Sequence, residues 1–293
     1  MSDTIGPGFS ISGGGDAAGP LVLASPHSGR EYPPGFVATT RLTLGQLRRA
    51  EDAYVDELLA GAVAAGVPLI SAHYGRSWLD LNRAADELDP AMFVEPLADH
   101  PAQAGERVGA GLGVLPRLAA HGLDIYPGRL RLAEAEARLA AVHAPYHAAL
   151  AELLERARRR HGFAVLIDCH SMPTPPAVNL ARPAEVVLGD LHGTSASPAL
   201  MATIESFWQA GGWRTSRNVP YAGGFTTAAH GAPARGIHAV QLELDRMLYM
   251  DPPRLRPHEG FARVAAALTA LATLVVAQAP ALELTPTWRA AAE

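Results

Sequence analysis

The sequence predicts an α/β fold, a single domain in which a mostly parallel, mixed central sheet is covered by helices on both faces. Short apolar runs rich in β-branched residues alternate with longer segments of helical periodicity, the pattern of strands joined by helical crossovers. Several runs also end abruptly in polar side chains, as in FAVLIDCHSMP at residues 163–173. Because open α/β sheets bind ligands at the carboxyl ends of their strands, the same runs predict a functional site.

The elements follow in order along the chain. The predicted strands are residues 20–25, 67–72, 163–167, 185–191 and 237–245. The predicted helices are residues 44–65, 132–161, 197–210 and 254–277, with a kink at Pro145. Residues 79–83 form a short alternating segment that would put Asn82 and Arg83 beside the sheet. Residues 1–19 are Gly-rich and predict a surface lead-in, and the proline-punctuated residues 84–131 are expected to form loops that fold over a site.

Composition excludes several classes of partner. The net charge of −5 argues against a nucleic-acid partner, because nucleic acids bind proteins that carry a basic surface. The apolar residues 264–277 are too few for a membrane span and predict a packed helix. The single cysteine, Cys169, excludes an intramolecular disulfide and suits a reducing cytoplasm, and no secretory signal is visible at the N-terminus.

Several motifs are rejected on their context. The Gly-rich stretches at 13–15 and 109–114 follow no strand, so they do not predict a nucleotide loop. His143 and His147 have the spacing of a helical zinc pair, but Ala144 stands where a zincin has glutamate, so we expect surface histidines. Cys169 and His170 point to opposite faces of a strand, which disfavours a cysteine hydrolase. No GxSxG elbow supports a serine hydrolase.

Metal-ligating side chains stand at three strand ends. His27 follows the first strand, Asp168 and His170 share a face of the central one, and Glu243 lies on the last. Two imidazoles and one carboxylate are usual ligands of a catalytic zinc, and a further carboxylate can serve as general base. A buried structural Asp–His pair fits Asp168 and His170 equally well, and an acidic residue near Asp52 is most simply solvent-facing.

Seven segments in order carry a resemblance to a known family. They are SPHSG at 25–29, EDAYVDEL at 51–58, DLNR at 80–83, LIDCHSMP at 166–173, LGDLHGTS at 188–195, PYAGGFTT at 220–227 and QLELDRMLYM at 241–250. The chain resembles the N-formylglutamate amidohydrolases from residue 20 to the last helix. That family is similar in fold to the zinc carboxypeptidases and the aspartoacylase group. The resemblance therefore implies a catalytic domain at residues 20–280, followed by a tail at 281–293.

The resemblance implies a ligand set. His27 and His170 match the two histidine ligands, but Arg30 stands where a His-x-x-Glu motif would have its glutamate. Asp52 is then the implied carboxylate ligand, with Glu51 as its competitor. Glu243 matches the general base, and Asp168 would orient a ligand or water. One zinc ion per chain is the implied cofactor, with other divalent metals as alternatives.

The resemblance also implies the substrate contacts and the reaction. Asn82 and Arg83 of DLNR match a substrate-carboxylate site, and His192 or His230 would supply an oxyanion donor. The further implied substrate contacts are Arg129, Thr194 and Arg246. The expected activity is hydrolysis of N-formyl-L-glutamate to formate and L-glutamate, a step of histidine degradation, with a small-molecule substrate and no nucleic-acid or membrane partner. The alternatives are a related zinc amidase or deacylase for another N-acyl amino acid, and a non-catalytic binder of acidic amino acids that retains the fold.

Overall fold

A seven-stranded sheet forms the centre of the computed structural model, which describes residues 5–15, 19–97, 105–178 and 181–286. Its strands are β1 Phe9–Ser12, β2 Leu21–Ser25, β3 Leu69–Ala72, β6 Ala164–Met172, β7 Val186–Gly189, β8 Thr215–Arg217 and β9 Ile237–Asp245. They lie in the order β1-β3-β2-β6-β9-β7-β8. Two small two-stranded sheets are formed by β4 Leu118–Ala119 with β5 Leu123–Asp124, and by β10 Met250–Asp251 with β11 Arg256–Pro257.

The middle of the sheet is parallel and buried. β2 runs parallel to β6, and β6 runs parallel to β9 over nine residue pairs, from Ala164↔Ile237 to Met172↔Asp245. Every residue of β6 and β9 is buried, which explains their near-continuous apolar sequences. β7 is antiparallel to β9, so the sheet is mixed. The predicted single-domain α/β class is confirmed.

Ten α-helices are assigned among the described residues. They are α1 Pro34–Thr39, α2 Leu44–Arg48, α3 Val55–Leu58, α4 Ala60–Ala64, α5 Glu106–Gly109, α6 Leu132–Arg138, α7 Ala144–His161, α8 Pro198–Ala210, α9 Phe225–His230 and α10 Gly260–Gln278. Short 3-10 turns and one π-helical segment at Leu139–His143 complete the assignment.

Two compact units divide the chain. Of the described residues, the first unit contains 5–10, 26–53, 71–97 and 105–149, and the second contains 11–15, 19–25, 54–70, 150–178 and 181–286. Within the first unit, the buried Arg138 guanidinium lies 4.8 Å from the centre of the Trp78 ring, 5.6 Å from Phe36 and 5.9 Å from Tyr126, and it pairs with Glu134. Within the second, α10 contacts β2, α3, α4 and α8. A Cβ on Gly61 would lie 2.2 Å from Thr269 Oγ1, so this glycine allows α4 to approach α10 closely.

Two predicted elements differ from the structure near the acidic segment and the DLNR motif. The helix expected over residues 44–65 is broken into α2, α3 and α4, and Tyr54 has a positive φ of 69° at the first break, immediately before α3. The break arises because the Asp52 amide donates to the His27 carbonyl, 2.9 Å away, instead of to a helical carbonyl. Residues 79–83 form turns and no strand.

The chain ends also depart from expectation. Phe9–Ser12, within the expected lead-in, forms the edge strand β1. Leu284, within the expected tail, is buried, and its carbonyl is 2.9 Å from His238 Nε2. The last helix begins later than predicted, at Gly260, and continues through a 3-10 turn to Ala281; with a mean hydropathy of 1.8 and 28% of its most apolar window buried, Gly260–Ala281 has the length and composition of a membrane span. Its apolar side chains Val264, Leu268 and Leu271 are nevertheless buried against its neighbours, as expected for a packed helix.

Candidate active site

Four polar side chains share one face of the paired strands β6 and β9. Asp168 lies opposite Gln241 in the register, and His170 lies opposite Glu243. Because side chains two residues apart point to the same face, the four form one patch in an otherwise apolar part of the sheet. All are buried. We call Asp168, His170, Gln241 and Glu243 the strand set.

Hydrogen bonds orient the members of the strand set. His170 Nε2 lies 2.9 Å from Asp168 Oδ2, and Gln241 Nε2 donates to Glu243 Oε1 at 2.9 Å. A carboxylate only accepts, so the His170 Nε2 carries the proton and Nδ1 is the nitrogen suited to bind a metal. Asp168 Oδ1 is buried and has no hydrogen-bond partner among the described residues.

Three further polar side chains cluster in turns. His27 follows the end of β2 by two residues, in a turn where a Cβ on Gly29 would lie 2.2 Å from the Tyr74 carbonyl oxygen. The glycine therefore permits the close approach of two backbones. His27 Nδ1 lies 3.4 Å from Asp52 Oδ2, and His27 Nε2 lies 2.6 Å from Asp80 Oδ1. His27, Asp52 and Asp80 are the turn set.

Asp80 belongs to the site, although the sequence did not predict it. Its Oδ1 accepts from His27 Nε2 and from the Asn82 amide at 2.9 Å, and its Oδ2 accepts from Arg76 Nη2 at 2.8 Å. Burial acts to raise the pKa of Asp80, but Arg76 and His27 outweigh it and hold that pKa well below its usual value. An ionised carboxylate that receives Nε2–H leaves His27 Nδ1, on the side of Asp52, as the metal-binding nitrogen. The only sequence signal was its position as the first residue of DLNR.

His27, Asp52 and His170 form a buried group that can hold a metal ion. One ligand atom from each residue lies within 4.8 Å of the others. Two imidazoles with one carboxylate, each imidazole supported by a carboxylate on its other nitrogen, is the donor chemistry of a catalytic zinc site. The residues present therefore fit a bound divalent metal.

Glu51, the competitor of Asp52, has other partners. It accepts from Tyr32 Oη at 3.0 Å and from Arg48 Nε at 3.1 Å. Burial raises the pKa of Glu51, although Arg48 and Tyr32 oppose that shift. Burial and the Glu51 charge also raise the pKa of Tyr32. Glu51 is not a member of the group that can hold a metal, whereas Asp52 is.

Asn82 and Arg83 are buried beside the turn set. The Asn82 amide is bound to Asp80, so DLNR continues from the carboxylate that holds His27. Arg83 Nε donates to the Leu112 carbonyl at 2.9 Å, and its Nε lies 3.9 Å from Glu87 Oε2. Burial lowers the pKa of Arg83. Arg83 therefore pairs with Glu87, while Asp80 pairs with Arg76.

The other predicted contacts differ in burial. Arg246 is buried after β9 and donates from Nε to Ser171 Oγ at 3.2 Å. His230 ends α9, and burial lowers its pKa to about 4, opposed by the charge of Asp168. The remaining three are exposed: His192 and Thr194 in the turn between β7 and α8, and Arg129 in the loop before α6.

The expectation that His143 and His147 are surface histidines is wrong. His143 is buried, and its Nε2 lies 2.8 Å from the Arg83 carbonyl oxygen. His147 is half-buried, and its Nε2 lies 2.9 Å from the Leu81 carbonyl oxygen. Helical spacing could not show that this face of the helix packs on the DLNR segment.

Comparison with known proteins places the chain in a family. The family model described as N-formylglutamate amidohydrolase matches residues 19–250. An N-formylglutamate deformylase of Pseudomonas aeruginosa is 32% identical over 79% of this chain and 82% of its own length, and one of Pseudomonas putida is 29% identical over the same shares. The crystal structure of an N-formylglutamate amidohydrolase from Ralstonia eutropha JMP134 superposes with a TM-score of 0.86 at 34% identity, covering 92% of this chain and 97% of the other. The resemblance seen in the seven segments is confirmed, and the chain belongs to the N-formylglutamate amidohydrolase family.

Proposed function

We propose that this protein hydrolyses N-formyl-L-glutamate to formate and L-glutamate with the help of one bound zinc ion. The observation that carries the proposal is the buried group of His27, Asp52 and His170, with Glu243 opposite His170 in the register. The names of the similar proteins from Pseudomonas and Ralstonia support the substrate.

The proposed metal is held by His27, Asp52 and His170. A divalent ion at such a site supplies Lewis-acid chemistry, which makes water acidic and polarises a carbonyl. Asp80 and Asp168 orient the two imidazoles through the hydrogen bonds described above. The donor set suits zinc, and other divalent metals remain alternatives for the same ligands.

Glu243 is the proposed general base and acid. Amide hydrolysis needs a group that removes a proton from the attacking water and then delivers one to the leaving nitrogen as the C–N bond breaks. Gln241 Nε2 donates to Glu243 Oε1, which fixes the plane of the carboxylate. His230, whose lowered pKa keeps its imidazole neutral at pH 7, is the proposed donor to the developing oxyanion. His192 is the second candidate for that role.

Cationic and amide groups are proposed to recognise the dicarboxylate substrate. Arg83 and Asn82 lie in the segment that begins at Asp80, and Arg246 is the further buried cation. A guanidinium can bind a carboxylate through two parallel hydrogen bonds, which a lysine cannot reproduce. The exposed Arg129 and Thr194 are the remaining candidates. We assign the reaction to histidine degradation in the cytoplasm, where the one buried thiol, Cys169, would stay reduced.

A panel of N-acyl amino acids tests the proposed function. The purified, zinc-loaded protein is assayed with N-formyl, N-acetyl and N-propionyl derivatives of glutamate, aspartate, glutamine and methionine. We expect the highest kcat/KM for N-formyl-L-glutamate. A higher value for another derivative would assign the protein to the related amidases, and no turnover with any derivative despite full metal occupancy would favour a binding protein.

A further inference from the structure

The long helical segment from α6 to α7 contains a π turn at Leu139–His143. The Ala144 amide donates to the Leu139 carbonyl, a bond over five residues instead of four. Pro145 follows at once, and it cannot donate to a carbonyl of the preceding turn. Single π turns inside α-helices are frequent at functional sites. The proline expected to kink the helix is thus accompanied by a local widening of it.

Three side chains on one side of this segment reach backbone oxygens of a single loop. Arg138 Nη1 donates to the Trp78 carbonyl at 2.8 Å, His147 Nε2 to the Leu81 carbonyl at 2.9 Å, and His143 Nε2 to the Arg83 carbonyl at 2.8 Å. In an α-helix, residues five apart point about 140° away from each other. The π turn returns position 143 to the side of position 138, so the widening is what allows all three contacts.

Both histidines act as hydrogen-bond donors through Nε2. A backbone carbonyl only accepts, so the proton position is set by the partner. The two imidazole rings lie side by side, with their centres 4.5 Å apart. Burial lowers the pKa of His143, which agrees with a neutral ring. The pair therefore fixes the direction of the Leu81 and Arg83 carbonyls.

These carbonyls bracket the residues proposed to bind substrate. The peptide group between Leu81 and Asn82 is held at both ends, its amide by Asp80 and its carbonyl by His147, and the peptide group that follows Arg83 is held through its carbonyl by His143. The backbone of Arg83 is thereby fixed at the point where its side chain leaves the chain. Neither histidine is a member of the group that can hold a metal.

We infer that His143 and His147 are positioning residues that set the place of Asn82 and Arg83 for recognition of the substrate carboxylate. The inference deepens the proposed function and rests on it for the role of Arg83. A misplacement of about 1 Å can cost on the order of a hundredfold in rate. We therefore expect His143→Phe, which removes the donor and keeps a ring, to lower kcat/KM at least tenfold, chiefly through KM. His143→Gln restores an N–H donor, and it should recover most of that loss.

A double-mutant cycle with Arg83→Lys separates positioning from a purely structural role. If His143 acts through Arg83, His143→Phe should lower kcat/KM strongly in the natural background and by no more than about twofold in the Arg83→Lys background. The matched control is His73→Phe, since His73 Nδ1 also bonds a backbone carbonyl, that of Pro7 at 2.9 Å. Equal losses in both backgrounds, or an equal loss in the His73 variant, would overturn the inference.

Hydrogen exchange supplies a readout that needs no substrate. The amide of Asn82 should exchange faster in His143→Phe and His147→Phe than in the natural protein and in His73→Phe. If His143→Phe does not fold, His147→Phe carries both measurements. The kinetic cycle uses whichever N-acyl amino acid the natural protein turns over fastest. If N-formylglutamate is not turned over, the proposed function is wrong, but the inference can still be tested. An unchanged exchange rate of the Asn82 amide in the folded variants would contradict the inference and leave the proposed function standing.

Discussion

The strand set and the turn set each contain a histidine bonded to a carboxylate, but one lies on a paired strand and the other in turns. His170 lies inside a nine-residue strand paired on both sides, by β2 and by β9. His27 lies in a turn beyond the end of β2, held by Asp80 through Nε2 and by the Asp52 amide through its carbonyl. In each set one carboxylate receives the Nε2 proton of the histidine. The sheet positions the first imidazole, whereas side-chain and loop hydrogen bonds position the second.

The largest expected effect lies in the strand set, at Glu243. Glu243→Gln is nearly isosteric but cannot take up a proton, so turnover should fall by roughly two to four orders of magnitude while the metal is retained. Steady-state kinetics and metal analysis on the same preparation measure both. The matched control is Asp245→Asn, a carboxylate on the same strand whose Oδ1 is already bound by Thr174 Oγ1 and the Met247 amide. Metal loss in Glu243→Gln would make Glu243 a ligand, and normal turnover would place the base elsewhere.

The two supporting carboxylates give the sharpest test of the comparison. Removing a carboxylate that orients a metal-bound imidazole costs about 10- to 100-fold in metal affinity. We expect Asp80→Asn to lie at the upper end, because Asp80 is a principal restraint on His27, and Asp168→Asn at the lower end, because the sheet still holds His170. Titration in metal buffers measures the affinities, with the exposed Asp124→Asn as control. A larger loss of metal affinity in Asp168→Asn than in Asp80→Asn would contradict the view that the sheet holds His170 more firmly than the turn holds His27.

The strand set and the turn set also differ in how well the sequence predicted the positions of their residues. The alternation of side chains along a strand predicted the shared face of Asp168 and His170, and the predicted bounds of the last strand, residues 237–245, agree with β9. Helical periodicity instead predicted one helix over residues 44–65. It missed the break between α2 and α3, which places Asp52 beside His27. The local sequence pattern shows which side chains share a face of a strand. It cannot show the Asp52–His27 backbone hydrogen bond, because that bond joins residues far apart in the chain. Asp80 and His143 were missed for the same reason, since their partners are distant in sequence.

A smaller effect is expected in the dependence of stability on pH. Burial lowers the pKa values of His143, in the first unit, and of His238, in the second. The unfolded chain then binds more protons, so stability is complete above about pH 6.5 and is lost as pH falls towards the folded-state pKa values. His238 should contribute clearly, because its Nδ1 accepts from the Ser197 amide at 3.1 Å and protonation removes that acceptor.

Melting temperatures at neutral and mildly acidic pH measure this linkage. His238→Gln and His143→Gln should each reduce the drop in melting temperature on acidification, and the exposed His192→Gln should leave it unchanged. Comparing variants cancels the contribution of all other titrating groups. A His238→Gln protein as sensitive to acid as the natural one would mean that His238 does not carry the linkage.

The metal content of two neighbouring variants tests the central claim most directly. His27, Asp52 and His170 can hold a metal ion, whereas the adjacent Glu51 is bound to Tyr32 and Arg48. Elemental analysis after dialysis should find about one ion per chain in the natural protein and in Glu51→Gln, and little in Asp52→Asn. Full metal content in Asp52→Asn together with loss in Glu51→Gln would contradict this ligand set.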